Sequence, residues 1–215
     1  MTCEHCCGAD KLFDLKGAKK ELKKYVKSGP SRVTKKLIQA LSTFDKNDKK
    51  LLDIGGGIGA IAWHFHENGI SQTTDVDASS GYLQVAGEYA QSRGWGSTSF
   101  FRQGDFTDVA DDLDTFDFVT MDKVVCCYPD YELILKNALA KSRKVIALTF
   151  PLGGPIAQLF RWMGSIYLRF QKNPFRPYIH SHEKIEKYIV TSGFRPVHQS
   201  IAFPWRVWVF EKVEV

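Results

Sequence analysis

The sequence predicts an α/β fold: a doubly wound, mostly parallel seven-stranded sheet with helices on both faces, an N-terminal helical cap and a C-terminal antiparallel hairpin. Three observations predict it. Short apolar runs alternate with helical patterns of roughly 10–14 residues between positions 50 and 150, the signature of a parallel sheet covered on both sides. LLDIGGGIG at 51–59 reads as a strand, a glycine turn and the start of a helix. FRPVHQSIAF and PWRVWVFEKV follow one another with a tight connection, so the sheet ends in antiparallel strands.

The elements follow in order. Residues 1–12 read as a flexible tail containing cysteines. Leu15, Ala18, Leu22, Tyr25 and Val26 recur at helical spacing until SGP at 28–30 stops the helix, and Val33, Leu37, Ile38 and Leu41 mark a second one. These helices make a cap over 13–45, ahead of a core at 46–150. In the core LLDI is a strand, AIAWHFHENG a helix closed by Gly69, TTDVDAS a strand and its exit, and SGYLQVAGEYAQSRG a helix. STSFFRQG leads into an acidic loop, FDFVTMDKVVCC is a strand with its continuation, DYELILKNALAKS a helix and KVIALTF a strand. Residues 151–182 combine an amphipathic helix with a loop rich in proline and aromatics, read as a substrate cover. A last helix, HEKIEKYIVTSG, and the hairpin occupy 183–215, completing one domain.

Composition narrows the function. With 215 residues, 44% apolar and 25% charged, one core is enough. The net charge of +5 comes largely from lysines in the first fifty residues, at helical spacing and with few arginines or interleaved aromatics, which favours a solvated helix face over a nucleic-acid groove. No apolar run reaches the length of a membrane span. Five cysteines with adjacent pairs do not form the framework of a disulfide-stapled secreted domain, so a cytoplasmic location is expected. Asp108, Asp111, Asp112 and Asp114 read as a solvated loop, and no metal is assigned.

The glycine turn allows a ligand to approach backbone N–H groups at a helix start, and no Gly-Lys-Ser/Thr follows to suggest a triphosphate loop. Gly55, Gly57 and Ala60 also fit the dinucleotide spacing. Asp53, inside the strand end, suits a cationic ligand better than a pyrophosphate. Asp77, at the end of the next strand, is placed to accept from ribose hydroxyls, and Gly104-Asp105-Phe106 offers an acid and a ring beside a flat base.

On these residues the chain resembles the class I, seven-stranded, Rossmann-like S-adenosylmethionine-dependent methyltransferases, over roughly 30–211. The resemblance implies that Gly55, Gly56 and Gly57 turn around the methionine part and that Asp53 orients the loop or the amino group. It implies that Asp77 and Ala78 hold the ribose, that Gly104, Asp105 and Phe106 hold the adenine, and that Met121 to Lys123 line the methionine side and the substrate mouth. Gly56 and Ile58 depart from the commoner glycine pattern; Gly56 reads as a tolerated small residue. The implied activity is direct methyl transfer to an O, N or S atom of a small-molecule acceptor, driven by positioning and desolvation, with S-adenosylhomocysteine as product. VVCCYPD at 124–130 and the aromatic insertion that follows are weakly similar to the magnesium-protoporphyrin O-methyltransferases, although a cysteine stands where that group tends to have histidine.

His180 and Tyr128 are the candidate catalytic residues. Lys123, Cys126, Cys127, Tyr128, Trp162 and Tyr167 are the candidate substrate contacts, suited to an acceptor that is large and flat or amphipathic. His64 and His66 lie two apart on a helix and do not share a face. Cys3, Cys6 and Cys7 would meet Cys126 and Cys127 if the tail folds over the mouth, a grouping suited to zinc or a thiophilic substrate; a disordered tail and inert strand-end thiols are the plainer reading. The alternatives are an NAD(P)-dependent oxidoreductase and a catalytically inactive relative that binds a partner. The expected oligomeric state is a monomer or a homodimer.

Overall fold

The computed structural model describes residues 4–213. Its elements are α1 (Glu4–Leu12), α2 (Leu15–Ser28), α3 (Arg32–Leu41), β1 (Lys50–Ile54), α4 (Ala60–Glu67), β2 (Gln72–Asp77), α5 (Ser80–Ser92) and β3 (Ser99–Gln103). They continue with α6 (Phe106–Val109), β4 (Phe116–Asp122), α7 (Tyr131–Lys141), β5 (Ser142–Pro151), α8 (Pro155–Phe170), α9 (His182–Thr191), β6 (Phe194–Ala202) and β7 (Trp205–Lys212). Helix starts follow local chemistry. Asp14, Ser31, Ser79, Asp130 and Ser181 each accept a backbone N–H of the first turn of α2, α3, α5, α7 and α9 with their side-chain oxygens.

The seven strands lie in the order β3-β2-β1-β4-β5-β7-β6. The first five are parallel, and β7 runs antiparallel between β5 and β6. Alternate residues feed two cores: Leu52, Val119 and Ile146 pack on one face, and Leu51, Phe118 and Val145 on the other. Burial on both faces is why these strands read as continuous apolar runs. β1 and β4 are neighbours from which the chain winds in opposite directions, and ligands of such sheets bind in the crevice at the carboxyl ends of the strands.

Three segments differ from the sequence reading. The stretch read as a tail contains the helix α1. The fourth strand does not continue through VVCC: Lys123 adopts φ 66° and donates its N–H to Thr149 Oγ1, and Val125–Cys127 form a single 3-10 turn. A left-handed residue cannot extend a strand. The acidic loop contains α6, because Asp105 caps it by accepting the Thr107 N–H.

Candidate active site

The carboxyl ends of β1, β2 and β4 open on a cavity of about 440 Å³. Its floor is the glycine loop. Gly55 and Gly57 take φ 64° and 62°, a region where a side chain is strained, and a Cβ on Gly55 would lie 2.5 Å from Val124 Cγ2. The Gly55 N–H donates to the Val76 carbonyl at 2.7 Å, which ties the loop to β2.

Three carboxylates support that floor. Asp53 is buried; its Oδ1 accepts from Thr120 Oγ1 at 2.6 Å, and its Oδ2 has no hydrogen-bond partner among the described residues. Asp75, in register with Asp53 on the adjacent strand, accepts the Gly56 N–H at 3.1 Å. Asp77 accepts from Gly57 N at 3.1 Å through Oδ2 and from Ser79 N at 2.8 Å through Oδ1. Burial pushes Asp53 up to about 7 against the Thr120 hydrogen bond, and Asp77 up to about 6 against those of Ser79 and Gly57. Asp75 rises well above the carboxylate range through burial and the charge of Asp53.

On the far side, Gly104 and the buried Phe106 line the wall. Asp105 lies behind it. Its Oδ1 accepts from Tyr128 Oη at 2.9 Å and its Oδ2 from Cys6 Sγ at 3.1 Å. Burial raises its pKa, but the hydrogen bonds from Cys6, Thr107 and Tyr128 outweigh burial and hold it low. At the opposite mouth, Asp122 accepts from Thr34 Oγ1 and Lys123 Nζ, each at 2.6 Å, and from Thr149 Oγ1 at 2.6 Å.

The roof is α1. Cys6, Ala9 and Phe13 line the cavity, and Phe13 makes edge contacts with Tyr82 and Phe175 at 6.0 Å each. Ser79 Oγ donates to the Phe13 carbonyl, Ser80 N to Asp10 Oδ1 at 2.8 Å, and Asn173 Nδ2 to the Gly8 carbonyl at 3.0 Å. A side chain at position 8 would collide with the Phe175 backbone at 2.5 Å, so Gly8 allows the close seating of α1.

Of the residues expected from the sequence, Asp53, Gly55, Gly56, Gly57, Asp77, Ala78, Gly104, Phe106, Lys123, Cys127 and Tyr128 line the cavity. Asp105 lies one side chain behind it. Met121 is fully buried in the core and does not line the cavity. Trp162 and Tyr167 lie exposed on α8 and do not reach the cavity. Cys126 is buried beside it, with its Sγ 3.3 Å from the Lys123 carbonyl. The Cys127 thiol is pushed up by its hydrogen bond with Cys126 and by burial. Cys3 lies outside the described residues, and among those described no group of three or more His, Cys, Asp or Glu is arranged to hold a metal.

His180 does not line the cavity: its Nε2 is 2.9 Å from the Tyr128 carbonyl, and burial lowers its pKa. Burial pushes the Tyr128 phenol well up, and its hydroxyl is spent on Asp105. His66 stacks on Trp95 at 5.2 Å with Nε2 beside Thr73 and Ser99. Asp122, within the Met121–Lys123 stretch expected there, lines the cavity as well, whereas the sequence reading missed Phe13, Glu21, Ser31, Thr34, Tyr82 and Phe175, which also line it. Ser31 and Thr34 carried a signal, since a capping serine three residues before a threonine fixes both at the start of α3, whose buried face meets the sheet.

A seven-stranded sheet with β7 reversed, a glycine loop after β1 and an acid at the end of β2 define the class I, Rossmann-like methyltransferase fold. The chain belongs to the family described as "Methyltransferase domain", whose model matches residues 23–199. No curated protein sequence matches it. Among solved structures, magnesium protoporphyrin IX methyltransferase from Synechocystis PCC 6803 with bound S-adenosylhomocysteine has a TM-score of 0.67 at 16% identity, covering 84% of this chain and 81% of that one. An O-methyltransferase family protein from Burkholderia thailandensis scores 0.68 at 10% identity, over 94% of this chain and 61% of that one. The [4+2]-cyclase SpnF scores 0.66 at 14% identity, over 86% and 81%. Likeness at these identities is a likeness of fold.

Proposed function

We propose that the protein transfers the methyl group of S-adenosylmethionine by direct displacement to an O, N or S atom of a small-molecule acceptor. The observation that carries this reading is the buried Asp53 Oδ2, which has no hydrogen-bond partner among the described residues and stands at the cavity floor beneath the glycine loop. A buried carboxylate oxygen without a donor is costly, and the ammonium group of the methyl donor supplies one. The neighbouring groups fit the rest of that molecule. Asp77 keeps lone-pair capacity for ribose hydroxyls beside its two backbone donors, and Phe106 offers an apolar wall for a base.

When bound, the sulfonium supplies its own leaving group, a neutral thioether. The chain's residues then have positioning to perform. Asp53 holds the cationic end, Asp77 the sugar, and α1 with the Phe13 that follows it covers the cavity through Cys6, Ala9 and Phe13 so that bulk water is kept out. Asp122 and Lys123, fixed by Thr34 and Thr149, orient the acceptor at the other mouth. The Synechocystis relative was solved with S-adenosylmethionine as well as with its demethylated product, which supports the cofactor assignment.

Calorimetry with S-adenosylmethionine, S-adenosylhomocysteine and NAD tests the reading. Binding of the first two and not of NAD is expected. Binding of NAD alone overturns it in favour of an oxidoreductase. A screen with labelled methyl donor then identifies the acceptor, and a cofactor binder that labels none favours the inactive relative.

A further inference from the structure

Helix α8 turns its apolar face outward. Leu159, Trp162, Met163, Tyr167 and Phe170 are 52% to 83% exposed, and at 3.6 residues per turn they share about 140° of the helix circumference. Leu168, on the opposite side, is the buried anchor. None of the five exposed residues belongs to the apolar clusters of the core. Large side chains in one stripe, over about three turns, make a contiguous patch rather than scattered surface residues.

The charges that α8 and its flanking chain carry have one sign. After Glu132 the next acidic residue is Glu183, and the interval carries Arg161, Arg169, Lys172 and Arg176 on or just after α8. Arg169 and Lys172 are exposed, and no carboxylate forms a salt bridge with either among the described residues. Nearby, the Leu152 N–H donates to the Pro204 carbonyl at 2.8 Å, which brings the β6–β7 turn, with Phe203 74% exposed, to the start of α8.

We propose that α8 is an interfacial helix that lies in the surface of an anionic lipid bilayer, with the Leu159–Phe170 stripe in the acyl boundary and Arg169 and Lys172 among the headgroup phosphates. Aromatic and aliphatic side chains on one face with arginine and lysine beside them are what such a surface selects. A second copy of the chain fits less well, because two cationic rims would face each other. Among the described residues no helix is long and apolar enough to cross a membrane, so the contact is peripheral. α8 begins where β5 ends, at the same edge of the sheet as the cavity, and the segment after it returns to the cavity through Phe175. Docking itself requires no cofactor, and its failure would leave the methyl-transfer reading standing.

Flotation of the full chain with vesicles of phosphatidylcholine alone, and of phosphatidylcholine mixed with phosphatidylglycerol, tests this. Binding to the mixed vesicles, weakened by added salt, is expected. The Trp162→Glu/Phe170→Glu variant should lose about tenfold or more in partition, and Arg169→Glu/Lys172→Glu should lose the preference for the anionic lipid. All four positions are exposed, and cofactor affinity and circular dichroism check that the variants are folded; Trp162→Gln/Phe170→Gln replaces the first pair if it melts early. Equal binding by parent and stripe variant, or none to either vesicle, overturns the proposal. A dimer that the stripe variant dissolves also overturns it and assigns the face to a second copy.

Discussion

Asp53 and Asp75 stand opposite one another on adjacent parallel strands, and both carboxylates lie beneath Gly56. A Cβ on Gly56 would be 2.8 Å from Asp53 Oδ2 and 2.8 Å from Asp75 Oδ1, which places those oxygens within about twice that distance of each other. Two buried carboxylates so close cannot both ionise cheaply, and Asp77, Asp122 and Lys123 are the charged groups around them. The ligand-free protein therefore holds a proton that its unfolded chain releases.

The sign of the pH dependence follows. Asp53 sits at about 7 in the folded chain against an ordinary value of 3.8, and Asp75 is raised as well. Between those values the folded state binds more protons, so this contribution is fully present at low pH and is lost as pH rises from the ordinary value towards 7. The ligand-free protein should melt at a higher temperature at pH 6 than at pH 8, and Asp75→Asn should remove most of that difference. A melting temperature that rises over this interval in the parent protein contradicts the shared proton.

Binding of a cationic ligand at Asp53 favours its ionised form, so a proton should leave when the methyl donor binds. Calorimetry at pH 6.5 in two buffers of different ionisation enthalpy should give different apparent heats, with affinity improving towards pH 8. Identical heats in both buffers would show that no proton moves.

Gly56→Ala should weaken cofactor binding about tenfold or more and destabilise the fold by ~1–3 kcal/mol, the range for overpacking a filled site. The added methyl group meets Asp53 and Asp75 side chains that are fixed by Thr120 and by the loop itself. Unchanged affinity and melting temperature would mean that the loop has slack.

How much of this was legible before the structure depends on what each feature requires. Alternation along TTDVDAS already puts Asp75 on the same face as Asp77, but the register that sets Asp75 against Asp53 belongs to strand pairing, which the local pattern does not encode. Gly56 therefore read as a tolerated small residue when it is a steric requirement. The mostly parallel sheet and its closing antiparallel hairpin were legible because repeated strand–helix alternation and a tight final connection leave few alternatives; the order of the strands was not, since it is set by pairing. The roof was not, because the seating of α1 depends on Gly8 meeting the backbone of Phe175, more than 160 positions away. The stripe on α8 was visible as periodicity, but periodicity says that a face is apolar and not which way it points.

The Cys6 thiol donates to Asp105 Oδ2 at 3.1 Å, so a bound base whose amino group reached Asp105 would compete with that thiol for the oxygen. A thiol is a weak donor, so Cys6→Ala should tighten cofactor binding roughly two- to fivefold, equivalent to about 0.5–1 kcal/mol. Deleting residues 1–13 should instead speed cofactor release, since Ala9 and Phe13 go with it. Equal weakening by both changes would make Cys6 a direct ligand contact.

Removing His180 and Tyr128 separates positioning from proton transfer. His180 Nε2 meets the Tyr128 carbonyl outside the cavity, and the Tyr128 phenol is pushed well up by burial, which makes it a poor base near neutral pH. His180→Asn should leave kcat within about fivefold of the parent, well short of the loss expected on removing a general base, without deleting a limb of the pH–rate profile. Tyr128→Phe removes a donor to Asp105, so its effect should fall on the KM for the methyl donor rather than on kcat. Loss of a basic limb in either variant, or a fall in kcat of a hundredfold or more, would assign that residue a proton-transfer role and displace positioning as the main source of rate.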